Sequence, residues 1–182
     1  MPKRIAVIVG SLRKESINRK MALNLIEIAP QTLKLELLEI GSLQMYNEDL
    51  DKTPPKEWVE FRTQIKSYDG VIFVTPEYNR SVPAVLKNAI DVGSRPYGQS
   101  AWDKKPCAVV SVSPGASGGF GANHHLRQSL VFLNMPTMQQ PEAYIGSASK
   151  IFDDHGKLVD STKEFAAKIV NAYAGWVSQF SN

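Results

Sequence analysis

The sequence has 182 residues, is 43% hydrophobic and carries a net charge of +3, with its lysines and arginines scattered along the chain. That argues against the loaded cationic face of a nucleic-acid binder, and no stretch approaches the ~20 apolar residues of a membrane span. One cysteine, Cys107, excludes an intrachain disulfide and fits a reducing cytoplasm, and the apolar run after Met1 to Arg4 is too short for a secretion signal. Length and apolar content suit one compact domain over residues 1–182.

Residues 5–9 are continuously apolar and end at Gly10, the pattern of a strand buried on both faces. Ile17, Met21, Leu25 and Ile28 then mark one face of a helix over 17–29. Residues 33–40 read as a second strand near a sheet edge, and 41–55 as a long polar loop. Trp58, Val59, Phe61, Ile65 and Tyr68 indicate a second helix, ending at Asp69-Gly70. Residues 71–74 (Val-Ile-Phe-Val) are the clearest buried strand. Pro83 fits the first turn of a third helix carrying Val85, Leu86, Ala89, Ile90 and Val92. A fourth strand spans 107–112, and Leu126, Leu130 and Leu133 mark a fourth helix. Residues 135–139 read as a short fifth strand, limited by Pro136. Phe165, Ile169, Ala172, Trp176 and Phe180 give the last helix. Alternating strands and helices predict a three-layer α/β fold with a parallel sheet.

Open parallel sheets bind ligands outside the carboxyl ends of their strands, where strand order reverses. The loops after Val9, Val74 and Val112 are therefore the places for chemistry. The first contains Ser11, Arg13, Ser16, Ile17 and Asn18 at a helix N-terminus, which favours an anion, while the Arg13 fork matches phosphate oxygens. Ser16 or Asn18 alone is read more simply as an N-cap. No Gly-x-Gly-x-x-Gly or Walker lysine accompanies it. The second loop (Pro76, Glu77, Tyr78, Asn79, Arg80) is stiffened by Pro76 and Pro83, so its amides can face a planar ring with Tyr78 beside it. The third holds Ser113, Gly115 and Gly118 among four glycines in residues 115–121, which permit either close approach to a flat ligand or simple mobility. Together the loops fit a mononucleotide: phosphate at the first, ring between the second and third.

Gly10-Ser11-Leu12-Arg13 with Ser16 and Asn18, then Pro76-Glu77-Tyr78-Asn79, then Lys87-Asn88-Ala89-Ile90-Asp91, resemble the NADPH-dependent FMN reductase family. Within it the chain most resembles bacterial chromate- and quinone-reductase-type enzymes. The resemblance runs over nearly the whole chain and is thinnest at 41–57 and 147–162. It implies a flavodoxin-like fold with strand order 2-1-3-4-5, bound FMN, NADPH or NADH as co-substrate, and a homodimer that often pairs into a homotetramer. It places the FMN phosphate on Ser11, Arg13, Ser16 and Asn18, with Ile17 between them. The isoalloxazine falls along Pro76 to Asn79, with Ser113, Gly115 and Gly118 as the opposing wall. Arg80 and Asp91 would face the partner subunit.

The implied reaction passes hydride through flavin N5 to small acceptors (quinones, chromate, azo compounds or free flavin) in a ping-pong cycle with no protein nucleophile or base. The alternative, a flavodoxin-type electron carrier, sits less well with a basic chain and an arginine in the phosphate loop. Other residues read more plainly. His124-His125 lacks the i,i+4 spacing of a helical metal site and reads as solvent-facing or capping, so no metal is expected. Residues 48–51 read as a solvated acidic loop, Cys107 as a small buried hydrophobe, and the three tryptophans as core or interface aromatics. Arg95 reads as a surface charge.

Overall fold

The computed structural model describes residues 1–180. Its elements run β1 (Lys3–Val9), α1 (Ile17–Glu27), β2 (Leu33–Leu38), α2 (Lys56–Ser67), β3 (Gly70–Thr75), α3 (Ala84–Gly93), β4 (Cys107–Val112), α4 (Phe120–Phe132), β5 (Ala143–Ile145) and α5 (Asp160–Ser178), with 3-10 turns at Glu48–Leu50 and Ala148–Lys150. The strands form one parallel sheet in the order β2-β1-β3-β4-β5, the flavodoxin-like order.

The period of two along each central strand feeds two separate cores. Ile5, Val7, Val9, Ile72, Val74, Val110 and Val112 face one side, where Met21 and Leu25 of α1 and Ile169, Val170 and Tyr173 of α5 pack on them. Ala6, Ile8, Val71, Phe73, Cys107 and Val109 face the other side, against Trp58, Phe61 and Ile65 of α2, Leu86 and Ile90 of α3, and Leu126 and Leu130 of α4. Because β1, β3 and β4 are covered on both faces, their sequences are continuous apolar runs. Each fully buried Ile, Val or Phe contributes roughly 1.5–3 kcal/mol by leaving water.

Most predicted elements lie where periodicity puts them: β4 matches end for end, while α4 and α5 begin well before Leu126 and Phe165, the first residues that mark them in the sequence. Gly70 starts β3 rather than ending α2; a Cβ there would meet the Tyr173 hydroxyl at 2.3 Å. Pro83 is the N-cap of α3, not a residue of its first turn. The fifth strand is the larger correction: it lies at Ala143–Ile145, not at 135–139. Thr137 makes only a single bridge to Cys107. The chain then leaves the sheet through Pro141, which has no N–H to continue a ladder, and re-enters with Ala143 opposite Val110.

The long loop after β2 is braced rather than free. Asn88, buried in α3, accepts from the Tyr46 amide at 2.8 Å and donates to the Leu43 and Gln44 carbonyls at 3.2 and 3.1 Å. No helix among the described residues is long and apolar enough to cross a membrane.

Candidate functional site

The connection after β1 runs toward β2 and the one after β3 toward β4, on opposite sides, so a crevice opens above the carboxyl ends of β1 and β3. Three loops rise around it.

The first loop leaves β1 through Gly10, whose amide donates to the Val74 carbonyl at 2.9 Å. A Cβ at Gly10 would stand 3.1 Å from Leu86 and 3.2 Å from Thr75, so the loop crosses α3 and β3 with no room to spare. Ser16 is the N-cap of α1, its Oγ accepting from the Arg19 amide at 3.1 Å. The Ile17 and Asn18 amides find no acceptor among the described residues, and the first turn of α1 holds no acid. Asn18 is not a cap. Its side chain, 4% exposed, donates to the Val112 carbonyl at 3.2 Å and ties α1 to the end of β4. Its Oδ1 is buried without a partner, an acceptor waiting for a donor. Arg13 is exposed and makes no ion pair among the described residues, whereas nearby Arg19 is engaged with Glu39 at 2.6 Å.

The second loop is a tight hairpin. Tyr78 and Ser81 exchange backbone hydrogen bonds of 3.1 and 2.9 Å. Both residues between them, Asn79 (φ 49°) and Arg80 (φ 63°), are left-handed, as a two-residue primed turn requires. Tyr78, half exposed, stands over the crevice. The third loop is hydrogen-bonded to β5 and the turn that follows it. The Ser113 amide donates to the Ile145 carbonyl at 3.0 Å, and the Ser147 and Ala148 amides donate to the Gly115 and Ser113 carbonyls at 3.2 Å each. Gly118 (φ 61°) lies so close that a Cβ would meet the Tyr144 carbonyl carbon at 2.5 Å.

These loops enclose a cavity of about 210 Å³, lined by Ser11, Arg13, Ser16, Ile17, Asn18, Pro76, Glu77, Tyr78 and Ser113, with Val112 and Pro114. An adjoining cavity of about 360 Å³ shares Ser11, Arg13 and Tyr78 and continues over Gly10, Leu12 and Pro83 to Val85. Nine of the twelve predicted site residues therefore meet on one cavity. Asn79, Gly115 and Gly118 do not line it: Asn79 is at the hairpin tip, while Gly115 and Gly118 shape the third loop. Val112, Pro114 and Leu12 were not singled out from sequence. Val112 reads from sequence as a strand residue, Leu12 as part of the Gly10-Ser11-Leu12-Arg13 motif and Pro114 as part of the third loop, and none of the three carries a polar side chain to mark it as a site residue.

Unpaired amides and a free guanidinium beside two hydroxyls match a phosphate, and the orphaned Asn18 oxygen matches a hydroxyl donor such as a sugar chain carries. The residues present therefore fit a phosphorylated ligand that also carries hydroxyls, with Tyr78 the aromatic side chain on the cavity wall. A family model described as NADPH-dependent FMN reductase matches residues 3–150. The chain belongs to the NADPH-dependent FMN reductase family. As a member it is an NAD(P)H-dependent oxidoreductase that works with FMN. It is similar to a quinone reductase of Pseudomonas putida (64% identical, covering 95% of this chain and 94% of that one) and to a 2-hydroxy-1,4-benzoquinone reductase of a Burkholderia species (42%, covering 97% of each). Among solved structures it is similar to FerB of Paracoccus denitrificans, a flavoenzyme NAD(P)H:(acceptor) oxidoreductase, with TM-score 0.92, 39% identity and 98% of each chain covered.

Outside the crevice, the remaining candidates fall into ordinary roles. His124 stacks on Phe120 with ring centroids 4.2 Å apart, and its Nε2 lies 3.0 Å from the Tyr144 hydroxyl; partial burial, then Glu142, pushes that phenol's pKa up. His125 Nδ1 lies 3.0 Å from Ser81 Oγ. No group of three or more His, Cys, Asp or Glu that could hold a metal gathers among the described residues. Asp91 pairs with Lys87 on its own helix at 2.7 Å, and Arg80 pairs with Glu77 at 3.0 Å. Arg95 lies over the Tyr46 ring.

Proposed function

We propose that this member of the family is an NAD(P)H:quinone reductase that runs a ping-pong cycle in the crevice above β1 and β3. The observation that carries the reading is the convergence of Ser11, Arg13, the free amides at the start of α1, the orphaned Asn18 oxygen and Tyr78 on one cavity. FMN, when bound, supplies the redox chemistry in two half-reactions, so that NAD(P)H, one proton and a quinone give NAD(P)+ and a hydroquinone.

The chain's own residues have the work of binding and orientation. Arg13, Ser11, Ser16 and the Ile17 and Asn18 amides would hold the phosphate, and Asn18 Oδ1 would accept from a hydroxyl of the ribityl chain. Pro76, Glu77 and Tyr78 would line the ring on one side and Ser113 on the other, with Asn79 shaping the hairpin and Gly115 and Gly118 holding the third loop in place behind Ser113. No side chain of the cavity is assigned as nucleophile, acid or base. The quinone names of the similar Pseudomonas and Burkholderia enzymes support quinones as the main acceptors; an open ring face also admits chromate, azo compounds and free flavin as incidental ones.

The protein functions in the cytoplasm as a homodimer or homotetramer. A groove of about 680 Å³ between α3 and α4 supports self-association, since it mixes Ile90, Phe132 and Leu133 with Lys87, Asp91 and Arg95, complementary chemistry for a two-fold contact. Phe132 on its wall is 86% exposed. Initial-rate kinetics of NADPH oxidation with a benzoquinone test the function: parallel double-reciprocal lines are expected. Intersecting lines would reject the ping-pong cycle, and absence of turnover with any quinone would reject the acceptor class.

A further inference from the structure

Glu77 lines the cavity, but its carboxylate is engaged away from it. Oε2 accepts from the Ala122 amide at 3.0 Å, and Oε1 accepts from Arg80 Nη1 at 3.0 Å. Ala122 is the third residue of α4, the position whose N–H a helix cap normally satisfies. The helix has no cap of its own: its N-cap is Gly119 (φ 76°), and its first turn holds no acid. Glu77 therefore caps α4 from a different loop, 45 residues away.

The helix is built to receive it. A Cβ at Gly121 would stand 2.8 Å from the Arg80 carbonyl oxygen and 2.9 Å from Glu77 Oε2, so only glycine lets hairpin and helix come this close. Ser81 and His125 add a second tie between the same two elements. The hairpin needs such support because two consecutive non-glycine residues, Asn79 and Arg80, are left-handed, each at a strain that persists only where the surroundings enforce it. Neutralisation matters too. A carboxylate lining a cavity for a phosphate would repel its ligand unless its charge were compensated, and here Arg80 and the positive end of α4 compensate it.

We propose that Glu77 is a positioning residue: by capping α4 across the crevice it fixes the hairpin that presents Tyr78 to the cavity. The proposal rests on the reading of that cavity as the FMN site. Its test compares Glu77→Gln, which keeps an oxygen acceptor for the Ala122 amide, with Glu77→Ala, which does not. Three readouts serve: FMN affinity by flavin fluorescence, the visible band shape of bound FMN, and amide exchange of residues 120–124 in the cofactor-free protein. Glu77→Ala is expected to bind FMN roughly tenfold more weakly, alter the bands and speed exchange at Ala122; Glu77→Gln is expected to recover affinity to within about threefold.

Gly121→Ala, which leaves Glu77 in place but forces the two elements apart, is expected to reproduce the altered bands and serves if Glu77→Ala does not fold. Unchanged affinity and bands in Glu77→Ala, or a Glu77→Gln variant as impaired as Glu77→Ala, would overturn the proposal. Wild-type protein that takes up no FMN would instead overturn the reading of the cavity, with exchange at Ala122 still reporting on the cap.

Discussion

Three glycines separate close packing from backbone freedom, and alanine at each has a different calculable effect. At Gly118 the backbone is left-handed (φ 61°), and a Cβ would lie 2.5–2.7 Å from the Tyr144 carbonyl and the Ile145 amide, backbone atoms that cannot rotate away. Left-handed alanine costs about 1–2 kcal/mol and overpacking about 1–3 kcal/mol more, so Gly118→Ala should destabilise by about 2–5 kcal/mol. At about 2–4 °C per kcal/mol for a chain of this size, the cofactor-free protein should melt roughly 4–20 °C lower. Gly156 is equally left-handed (φ 75°) but has nothing within 4 Å of a Cβ, so only the backbone cost of about 1–2 kcal/mol applies. Gly175 is exposed inside α5, also with open space, and alanine there should stabilise by about 0.5–1 kcal/mol. Differential scanning calorimetry of the three variants gives the order directly. A Gly118→Ala variant that loses no more than Gly156→Ala would refute the stapled third loop.

Arg13→Ala removes the free guanidinium of the first loop and should weaken FMN binding about 10- to 150-fold, the equivalent of a charge-assisted hydrogen bond of about 1.5–3 kcal/mol, with the difference narrowing as salt rises; fluorescence titration at two ionic strengths measures it, and unchanged affinity would remove Arg13 from the phosphate site. Burial pushes the Cys107 thiol up to about 12, so the folded state keeps a proton that the unfolded chain releases near pH 8.5. Stability should thus be insensitive to this thiol below about pH 8.5 and fall between there and about pH 12, by up to about 1.4 kcal/mol per pH unit. Tyr173, buried and likewise shifted upward, acts in the same direction. Melting curves from pH 8 to 11 should therefore fall less steeply in Cys107→Ala than in wild type, and equal slopes would contradict this assignment. Tyr173→Phe deletes a buried hydrogen bond to the Pro106 carbonyl, which keeps the Val71 amide as donor; a loss near 1 kcal/mol in urea unfolding is expected, and one above about 3 kcal/mol would mean the hydroxyl does more than this bond.

The layer architecture was legible because β1, β3 and β4 are covered on both faces, which leaves unbroken apolar runs, while α1 and α5 keep clear one-sided periodicity. The fifth strand was not. Its three residues are too short to show a period, and the buried Met135 and Met138 flanking the β-branched Thr137 imitate a strand although Pro136 and Pro141 prevent a ladder. The cavity was legible as loops at strand ends, since Ser11, Arg13 and Asn18 advertise polar chemistry at a helix start. What each side chain is occupied with was not. Ser16 proved to be the cap and Asn18 a strut with one free oxygen, a division set by where β4 ends. Nor could the sequence show that the third loop's glycines serve close packing against β5, or that Glu77 reaches the start of α4, because both depend on contacts between distant segments.

FMN held in the crevice above β1 and β3 should be reduced by a nicotinamide cofactor and reoxidised by a quinone. The decisive measurement is an anaerobic visible spectrum of the purified protein reconstituted with FMN, recorded before NADPH, after NADPH, and after a benzoquinone. Flavin bands should shift on binding, bleach with NADPH and return with the quinone. Bound flavin that neither NADPH nor NADH bleaches, or a protein that binds no FMN, would contradict this cycle.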